Sequence, residues 1–354
     1  FGFSGKLIPD EDYDKNNPGK YINSTTRNLD DGRSIVYYTM DLPKRLYHQF
    51  YEICANGDLW PLMHARPDLT NGTSESRDAY LEMNRLYFEG MKTVLKDDDD
   101  LIVHDYHFIP FADIARQAGM KRPIGLYIHI PFPEKDVFES PHLDSSTKDF
   151  ISRLFKDQIF SYDMVGFQSP RDLNNFRAYN GITTTKNLAP YDTSWMQCQN
   201  GQSFLAGIFP ATGDIDEIQK KLRTSLNDPS SELFLAMATN DRWKDPNFKI
   251  IVGADRLDYS KALPKRIKAL RKFLEKGTIQ PKDVKLIQAA AQSREGIAVY
   301  AKEIAKYRDQ FTAIRNDYGD VVYSPWNSNG AFQPLPQDKI FRAYNIASVG
   351  IFTS

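Results

Sequence analysis

Short apolar runs alternate with stretches of helical pattern along this chain. One such helical stretch is residues 264–277, where apolar side chains recur at helical spacing between a proline and a glycine. Strands that alternate with helices are typical of α/β domains built on parallel sheets. The pattern therefore predicts an α/β fold, with strands at residues 101–103, 124–130, 163–168, 249–253, 284–290 and 348–352.

The length of 354 residues favours two domains. Polar sequence without clear periodicity occupies residues 227–231 and 240–247 and indicates a junction. A boundary near Pro246 is predicted from it, which gives an N-terminal domain at 1–245 and a C-terminal domain at 246–354.

The composition excludes several classes of protein. The formal net charge is -1 and the isoelectric point is near 6.7, so a binder of nucleic acid or of anionic membrane is not expected. No apolar run approaches the roughly 18 to 20 residues of a membrane span, and no signal peptide is recognised, so a cytoplasmic location is expected. Cys54 and Cys198 lack the spacing of a disulfide framework or a zinc site.

Polar residues concentrate directly after the apolar runs, where doubly wound sheets bind their ligands. Asp105 follows the first run, and its carboxylate could accept hydrogen bonds from sugar hydroxyls or cap the next helix. His129 could be a buried core histidine or a hydrogen-bond donor to a ligand. His104 and His107 are three residues apart, but no third ligand at recognisable spacing accompanies them, so a metal site is not predicted.

Basic residues follow two of the later runs. Arg256 and Lys261 lie five residues apart in a strand-to-helix turn, where a guanidinium and an ammonium can both reach a diphosphate. Arg294 is placed in the same way for a second phosphate. The alternative for all three is a solvated basic turn. Tyr47 and Trp60 could form an apolar face for a sugar ring, or could simply belong to the core.

Several well-known catalytic motifs are absent from the sequence. There is no GxGxxG after a strand, no P-loop, no HExxH and no GxSxG elbow. Those absences argue against the corresponding dehydrogenases, nucleoside triphosphatases, metalloproteases and hydrolases, and they leave group transfer as the favoured chemistry.

Five longer motifs occur in a fixed order over nearly the whole chain. They are Leu-Trp-Pro at 59–61, Val-His-Asp-Tyr-His at 103–107, His-Ile-Pro-Phe-Pro at 129–133, Val-Gly-Phe-Gln at 165–168 and Asp-Arg-Leu-Asp-Tyr-Ser-Lys at 255–261. In these motifs the chain resembles the trehalose-6-phosphate synthases, which are retaining nucleotide-sugar glycosyltransferases of the GT-B type. The resemblance implies two Rossmann-like domains with doubly wound parallel sheets that face each other across a cleft.

The resemblance also implies an activity, namely transfer of glucose from UDP-glucose to glucose 6-phosphate with retention, giving trehalose 6-phosphate and UDP. Neither a cofactor nor a metal is implied, and a homo-oligomer is compatible with the family. Catalytic roles would fall to Asp105, His129, Arg256 and Lys261. The implied acceptor site consists of Phe3, Tyr47, Trp60, Asp105, Ile130 and Arg294, and the implied donor site consists of His129, Arg256, Lys261 and Leu335.

The chain departs from the family pattern at several positions. Phe3 stands where a tryptophan is usual, Ala262 replaces a glycine, Ala65 replaces a tyrosine, and the spacing from Tyr47 to Trp60 is longer than usual. Family segments that would precede Phe1 and follow Ser354 are also expected to be missing. Three alternatives therefore stay open: an inactive fragment, a related transferase such as a glucosylglycerol-phosphate synthase, and a sugar-phosphate sensor without catalysis.

Overall fold

The computed structural model describes residues 1–182, 193–197, 203–292, 298–323, 326 and 332–352. Its contacts divide the chain into two compact units, Phe1–Ala211 and Thr212–Ser354. None of the helices in these described ranges combines the length and the apolar composition that a membrane crossing requires.

The first unit opens with a three-stranded sheet that the sequence analysis did not predict. Its strands are β1 (Gly2–Ile8), β2 (Ile22–Asn28) and β3 (Ser34–Pro43), in the order β1-β3-β2. β3 pairs in parallel with β1 and antiparallel with β2, with Ile22 opposite Met40. Most residues of β2 are exposed, and its sequence is accordingly polar. It therefore lacks the apolar pattern by which a buried strand is recognised.

A helical segment follows β3 and carries two of the predicted site residues. It comprises α1 (Lys44–Tyr47), a π-helical stretch (His48–Leu59) and α2 (Trp60–Met63). A π-helix bonds residue i to residue i+5 and therefore holds more residues in each turn than an α-helix. The long spacing between Tyr47 and Trp60 is accommodated in this way.

A buried ion pair fixes the π-helical stretch to α3 (Ser74–Lys92). Asp58 and Arg77 are both buried, and the guanidinium Nε lies 3.1 Å from the carboxylate. Asp58 also accepts a hydrogen bond of 2.6 Å from the backbone N–H of Gly72, and Arg77 donates one of 2.6 Å to the Thr147 hydroxyl. Buried charges with this many partners hold the segment in one register.

The main sheet of the first unit contains three of the predicted strands. They are β4 (Leu101–His104), β5 (Ile124–Ile128) and β6 (Met164–Phe167), which are linked by α4 (Phe111–Gln117), α5 (Lys135–Phe138) and α6 (Ser145–Ser152). α7 (Pro170–Tyr179) then leads to β7 (Thr193–Gln197) and β8 (Ser203–Ile208). The strand order is β4-β5-β6-β8-β7, with β7 the antiparallel edge strand.

The second unit is built on a parallel sheet with helices on both faces. Its elements are α8 (Ile215–Leu226), α9 (Pro229–Thr239), β9 (Lys249–Arg256), α10 (Leu263–Glu275), β10 (Val284–Ala291), α11 (Ala298–Tyr318), α12 (Gln337–Asn345) and β11 (Val349–Gly350). The strand order is β10-β9-β11, and all three strands run in parallel. The three remaining predicted strands are thereby confirmed, as is the helix predicted over residues 264–277.

Alternation along the strands explains why both faces of this sheet are covered. Ile250 and Val252 of β9 pack with Phe234 of α9, whereas Leu286 of β10 packs with Ile267 of α10 and residues of α11. Successive side chains on a strand point to opposite faces, so a strand that is buried on both faces needs a continuous apolar run. That doubly wound arrangement is the one the sequence predicts.

The division between the units lies ahead of the boundary that the sequence predicts near Pro246. α8 and α9 pack against α12, and Phe234 and Leu235 of α9 belong to the same apolar cluster as Ile250 of β9. These helices therefore belong to the second unit, although they precede its first strand in sequence.

Candidate active site

The carboxyl ends of β4 and β5 bring two predicted site residues together in the first unit. Asp105 directly follows β4 and His129 directly follows β5. The two strands are parallel neighbours, and His104 lies opposite Tyr127 in their register. The carboxyl ends of these two strands thus carry one carboxylate, that of Asp105, and two imidazoles, those of His104 and His129.

Asp105 has an unusual backbone conformation, with φ at 71° and ψ at 172°. Glycine adopts this region readily, whereas any other residue there costs about 1–3 kcal/mol. Two bonds hold the residue in place. Its N–H donates to the Tyr127 carbonyl at 2.7 Å, and its carboxylate accepts from the His129 N–H at 3.3 Å. Such strain is typical of functional sites, where the surrounding structure fixes a side chain in a set direction.

Burial raises the pKa of the Asp105 carboxyl above its ordinary range, although hydrogen bonds from the backbone of Tyr106 and His129 act in the opposite direction. The alternative role that the sequence leaves open, capping of the next helix, is not seen, because the side chain accepts no N-cap hydrogen bond from the interior of the short turn Tyr106–Phe108 and interacts only with the first N–H of that turn. The carboxylate instead reaches across to the loop that follows β5, where it accepts from the His129 N–H.

The two histidines at this edge are hydrogen-bonded to each other. Nδ1 of His104 lies 2.8 Å from Nε2 of His129, and the ring centroids are 5.1 Å apart. The ring of Tyr127 meets His129 edge-on at 4.6 Å. Burial lowers the pKa of His104, and the neighbouring His129 lowers it further. The desolvation of His104 is only partial, and both residues remain exposed at the carboxyl ends of the strands, so neither is a core histidine.

The backbone of His129 is also fixed. Gln168, at the end of β6, donates from Nε2 to the His129 carbonyl at 3.3 Å, and its Oε1 accepts from the Ala211 N–H at 2.8 Å. Gly166 leaves room for Tyr127, because a Cβ at this glycine would lie 2.8 Å from the tyrosine ring. Ile130, the next residue along, is buried. The loop after β5 therefore has a defined conformation.

The aromatic residues predicted for the acceptor site form two separate groups of ring contacts. Phe3 packs on Tyr47 with 4.7 Å between ring centroids, and Tyr47 stacks on Tyr51 at 5.2 Å. Trp60 is buried and lies 5.9 Å from the ring of Tyr106, the residue after Asp105. Burial raises the pKa of Tyr47 to about 12, so its hydroxyl stays protonated at neutral pH.

Asn56 supports this region and has no counterpart in the sequence analysis. Its Oδ1 accepts a hydrogen bond of 3.1 Å from the Tyr106 hydroxyl, and its Nδ2 donates to the Tyr51 carbonyl at 2.6 Å. Asn56 is fully buried in the π-helical stretch. The sequence offered little signal for this residue, because the stretch His48–Leu59 contains several polar residues and only the structure shows that Asn56 is buried and requires partners.

A cavity of about 580 Å³ lies at the start of the first unit. Tyr47 is the one predicted site residue in its lining, which otherwise consists of residues from β1, the turn after it, α1 and the start of the π-helical stretch. They are Leu7, Pro9, Asp10, Glu11, Lys44, Arg45, His48 and Glu52. This mixed polar lining is distinct from the strand ends that carry Asp105 and His129.

In the second unit, Arg256 and Lys261 occupy one short connection. Arg256 is the exposed last residue of β9, and Lys261 ends a helical turn, Tyr259–Lys261, which the Asp258 carboxylate caps at its start. The Asp258 side chain accepts from the Ser260 N–H at 2.9 Å. The structure therefore places both residues on the connection between β9 and α10, which is the strand-to-helix turn that the sequence predicts.

A buried polar network braces the end of β9. Arg266 of α10 is buried and donates to the Asp255 carboxylate and, at 3.1 Å, to Oε1 of Gln288 on β10. Gly253 lies beneath this network, where a Cβ would come within 2.7 Å of the guanidinium. The residue before Arg256 is thus tied to both α10 and β10.

Of the two remaining predicted residues, one packs against a core cluster and one lies outside the described ranges. Leu335 is half-buried and packs against the apolar cluster around Phe234 and Ile250. Arg294 lies outside the described residues. Across the described parts of the chain, no group of three or more His, Cys, Asp or Glu side chains is arranged to hold a metal ion.

Comparison with known proteins places this geometry in a family. The sequence model of glycosyltransferase family 20 matches residues 10–354. The chain belongs to glycosyltransferase family 20. Among curated relatives of this family-20 chain, the trehalose-6-phosphate synthase of Cronobacter sakazakii is 27% identical over 350 residues, which are 99% of the chain and 67% of that protein. The synthase of Escherichia coli is 28% identical over 320 residues, 89% of the chain and 63% of that protein.

Solved structures agree on the fold. An α,α-trehalose-phosphate synthase (UDP-forming) from Burkholderia xenovorans, in complex with glucose 6-phosphate, matches all of the family-20 chain and 71% of its own with a TM-score of 0.83 at 24% identity. An Escherichia coli protein bound with UDP-2-fluoro glucose covers the same shares with a TM-score of 0.80 at 24% identity. These likenesses confirm the predicted GT-B fold. The chain spans about two thirds of the length of these relatives.

One departure from the family pattern has a measurable consequence. Ala262 has a left-handed backbone, with φ at 50° and ψ at 35°, at the point where Lys261 leads into α10. An alanine in this region costs about 1 kcal/mol relative to glycine. We expect Ala262→Gly to stabilise the second unit by about 1 kcal/mol, measured as the midpoint of its unfolding transition in urea.

Ala269 provides the matched control for Ala262, since it is exposed in the middle of α10. The same substitution there, Ala269→Gly, should destabilise the unit by about 1 kcal/mol because glycine is a poor helix former. Shifts of the same sign in both variants would contradict the strain assigned to Ala262.

Proposed function

We propose that the protein transfers glucose from UDP-glucose to glucose 6-phosphate with retention of configuration, producing trehalose 6-phosphate and UDP. The observation that carries this proposal is the extent of the family match, which includes Asp105, His129, Arg256 and Lys261. The curated relatives named above are trehalose-6-phosphate synthases. Both substrates are sugar phosphates, which suits the cytoplasmic location expected from the sequence.

In the proposed reaction the bond between the anomeric carbon and the diphosphate breaks, and a bond forms from that carbon to the anomeric hydroxyl of the acceptor. The proton of that hydroxyl passes to the departing phosphate oxygen, so no protein base is required. What the protein must supply is positioning of two sugars and stabilisation of negative charge on the diphosphate.

The residues divide between these two tasks. Arg256 and Lys261 would neutralise the diphosphate, because a guanidinium fork and an ammonium suit phosphate oxygens and can do so without a metal ion. Asp105 would accept hydrogen bonds from acceptor hydroxyls through the carboxylate that its strained backbone holds in place. His129 would bind the donor sugar. Phe3, Tyr47, Trp60 and Ile130 would shape the acceptor site, Arg294 would bind its phosphate, and Leu335 would lie near the nucleotide base.

The test measures UDP release by the protein expressed from its complete coding sequence. UDP-glucose is supplied with glucose 6-phosphate, with glycerol 3-phosphate or with glucose, each with and without EDTA. We expect release only with glucose 6-phosphate, unchanged by EDTA, and a product whose glycosidic linkage is α,α by NMR. Release with glycerol 3-phosphate instead would identify a glucosylglycerol-phosphate synthase. Glucose 6-phosphate binding without release would identify a sensor.

A further inference from the structure

The contact between His104 and His129 has a consequence for the proposed reaction. We infer that His104 is a positioning residue, which orients the imidazole of His129 and fixes its tautomer for the donor sugar. This inference rests on the proposed role of His129. His104 itself is not assigned any contact with a substrate.

The pairing follows from the register of the sheet. His104 is the last residue of β4 and lies opposite Tyr127 of β5. Side chains two residues apart on an extended chain share a face, so His129 emerges on the same side as Tyr127. In the structure, Nδ1 of His104 lies 2.8 Å from Nε2 of His129. Hydrogen bonds of this length between ring nitrogens are well within the normal range.

A hydrogen bond between two imidazoles requires one N–H and one lone pair. The contact therefore couples the tautomers of the two rings, because one facing nitrogen must carry the proton and the other must not. Whichever role Nε2 of His129 takes toward His104, its Nδ1 takes the complementary role toward a ligand. The backbone N–H of His129 already donates to Asp105, and its carbonyl accepts from Gln168. His104 adds a hydrogen bond to the ring, which Tyr127 also meets edge-on, and so completes a preorganised binding group.

The pair is sensitive to protonation, because two doubly protonated rings have no lone pair to share. The titratable groups that face the pair within the described first unit are Asp105, whose charge favours a protonated His104, and Tyr127, whose hydroxyl donates to the Phe209 carbonyl. Burial and the charge of His129 lower the pKa of His104, so the hydrogen bond is expected to persist at neutral pH and to be lost on acidification.

Three variants of His104 test the inference. Asparagine places a polar atom where Nδ1 stands, glutamine reaches further, toward the position of Nε2, and alanine removes both. We expect His104→Ala and His104→Gln to raise the KM for UDP-glucose about tenfold, the size of one hydrogen bond between neutral groups, with a smaller change in kcat. His104→Asn should restore most of the loss. The KM for glucose 6-phosphate should stay within about twofold in all three variants.

The pH profile gives a second readout, which loss of folding would not mimic. The difference in kcat/KM between the wild-type protein and His104→Ala should shrink as the pH falls below the titration of His104, because acid breaks the same hydrogen bond in the wild type. A constant ratio across the whole profile, or a full loss in His104→Asn, would overturn the inference.

NMR separates failure of this inference from failure of the proposed function. With histidine ring nitrogens labelled, the His104 and His129 resonances should show a scalar coupling across the hydrogen bond, and His104→Ala should shift the His129 ring signals toward a tautomer mixture. This readout needs no turnover. Absence of the coupling in a folded protein refutes the pairing, whereas its presence without UDP release refutes only the function.

Discussion

Alanine at Arg256 or at Lys261 is expected to slow UDP release by about 10²- to 10³-fold, the usual result of removing one group that stabilises charge in a transition state. The two side chains come from one connection, the end of β9 and the short turn before α10. A diphosphate leaving group gains negative charge as its bond to the sugar breaks. We therefore expect both kcat and kcat/KM to decrease.

Conservative changes sharpen this prediction. Arg256→Lys keeps the charge but loses the planar fork of donors, so it should recover only part of the activity. Lys268→Ala is the matched control, since Lys268 is an exposed lysine on α10 and its loss changes the net charge equally. Thermal unfolding of each variant separates a catalytic defect from a folding defect. Unchanged turnover in Arg256→Ala and Lys261→Ala would contradict the proposal that these residues bind the diphosphate.

The position of these cations was predictable because its signals are local. An apolar run, a polar turn and a helix with a proline at its start lie within residues 249–277, and each can be recognised without knowledge of the rest of the fold. The same holds for the strands that precede Asp105 and His129. The family motifs then add functional roles that residue patterns alone leave open.

Other features could not be predicted because they depend on contacts distant in sequence or on segments with a polar pattern. The first sheet requires the parallel pairing of β1 with β3, in which Gly2 lies opposite Thr39, and its strand β2 (Ile22–Asn28) is polar. The contact between His104 and His129 depends on the register of two strands. The conformation of Asp105 has no local signal either. Glycine would have indicated a positive φ, whereas an aspartate at a strand end normally suggests a cap.

The second large effect is expected at Asp105, where stability and activity should change in opposite directions. Asp105→Asn removes the charge and keeps the shape of the side chain. Because burial raises the pKa of Asp105 in the folded protein, the stability this group contributes is present while it is protonated and is lost as the pH rises through that pKa. Asp105→Asn should therefore raise the unfolding midpoint at neutral pH, with a gain that disappears in acid.

Activity should fall in the same variant. A carboxylate accepts stronger hydrogen bonds than an amide, and losing one to a sugar hydroxyl costs about 1.5–3 kcal/mol, or about ten- to a hundredfold in kcat/KM for glucose 6-phosphate. For the same reason the wild-type activity should decline on the acid side as Asp105 becomes protonated, at a pH above the ordinary range of an aspartate. Asp98→Asn, an exposed change of equal charge, should alter neither quantity.

Asp105→Gly extends the test to the backbone. Glycine adopts a φ of 71° with a ψ of 172° without strain, so relief of backbone strain should add about 1–3 kcal/mol to the stability of this variant. Loss of the hydrogen bond that the carboxylate accepts from the His129 N–H offsets part of that gain. It should also be at least as inactive as Asp105→Asn. A protein that becomes more stable when its aspartate is removed, and loses acceptor binding at the same time, retains that strained residue for its function. Loss of both stability and activity would instead make Asp105 a structural residue of the loop between β4 and α4.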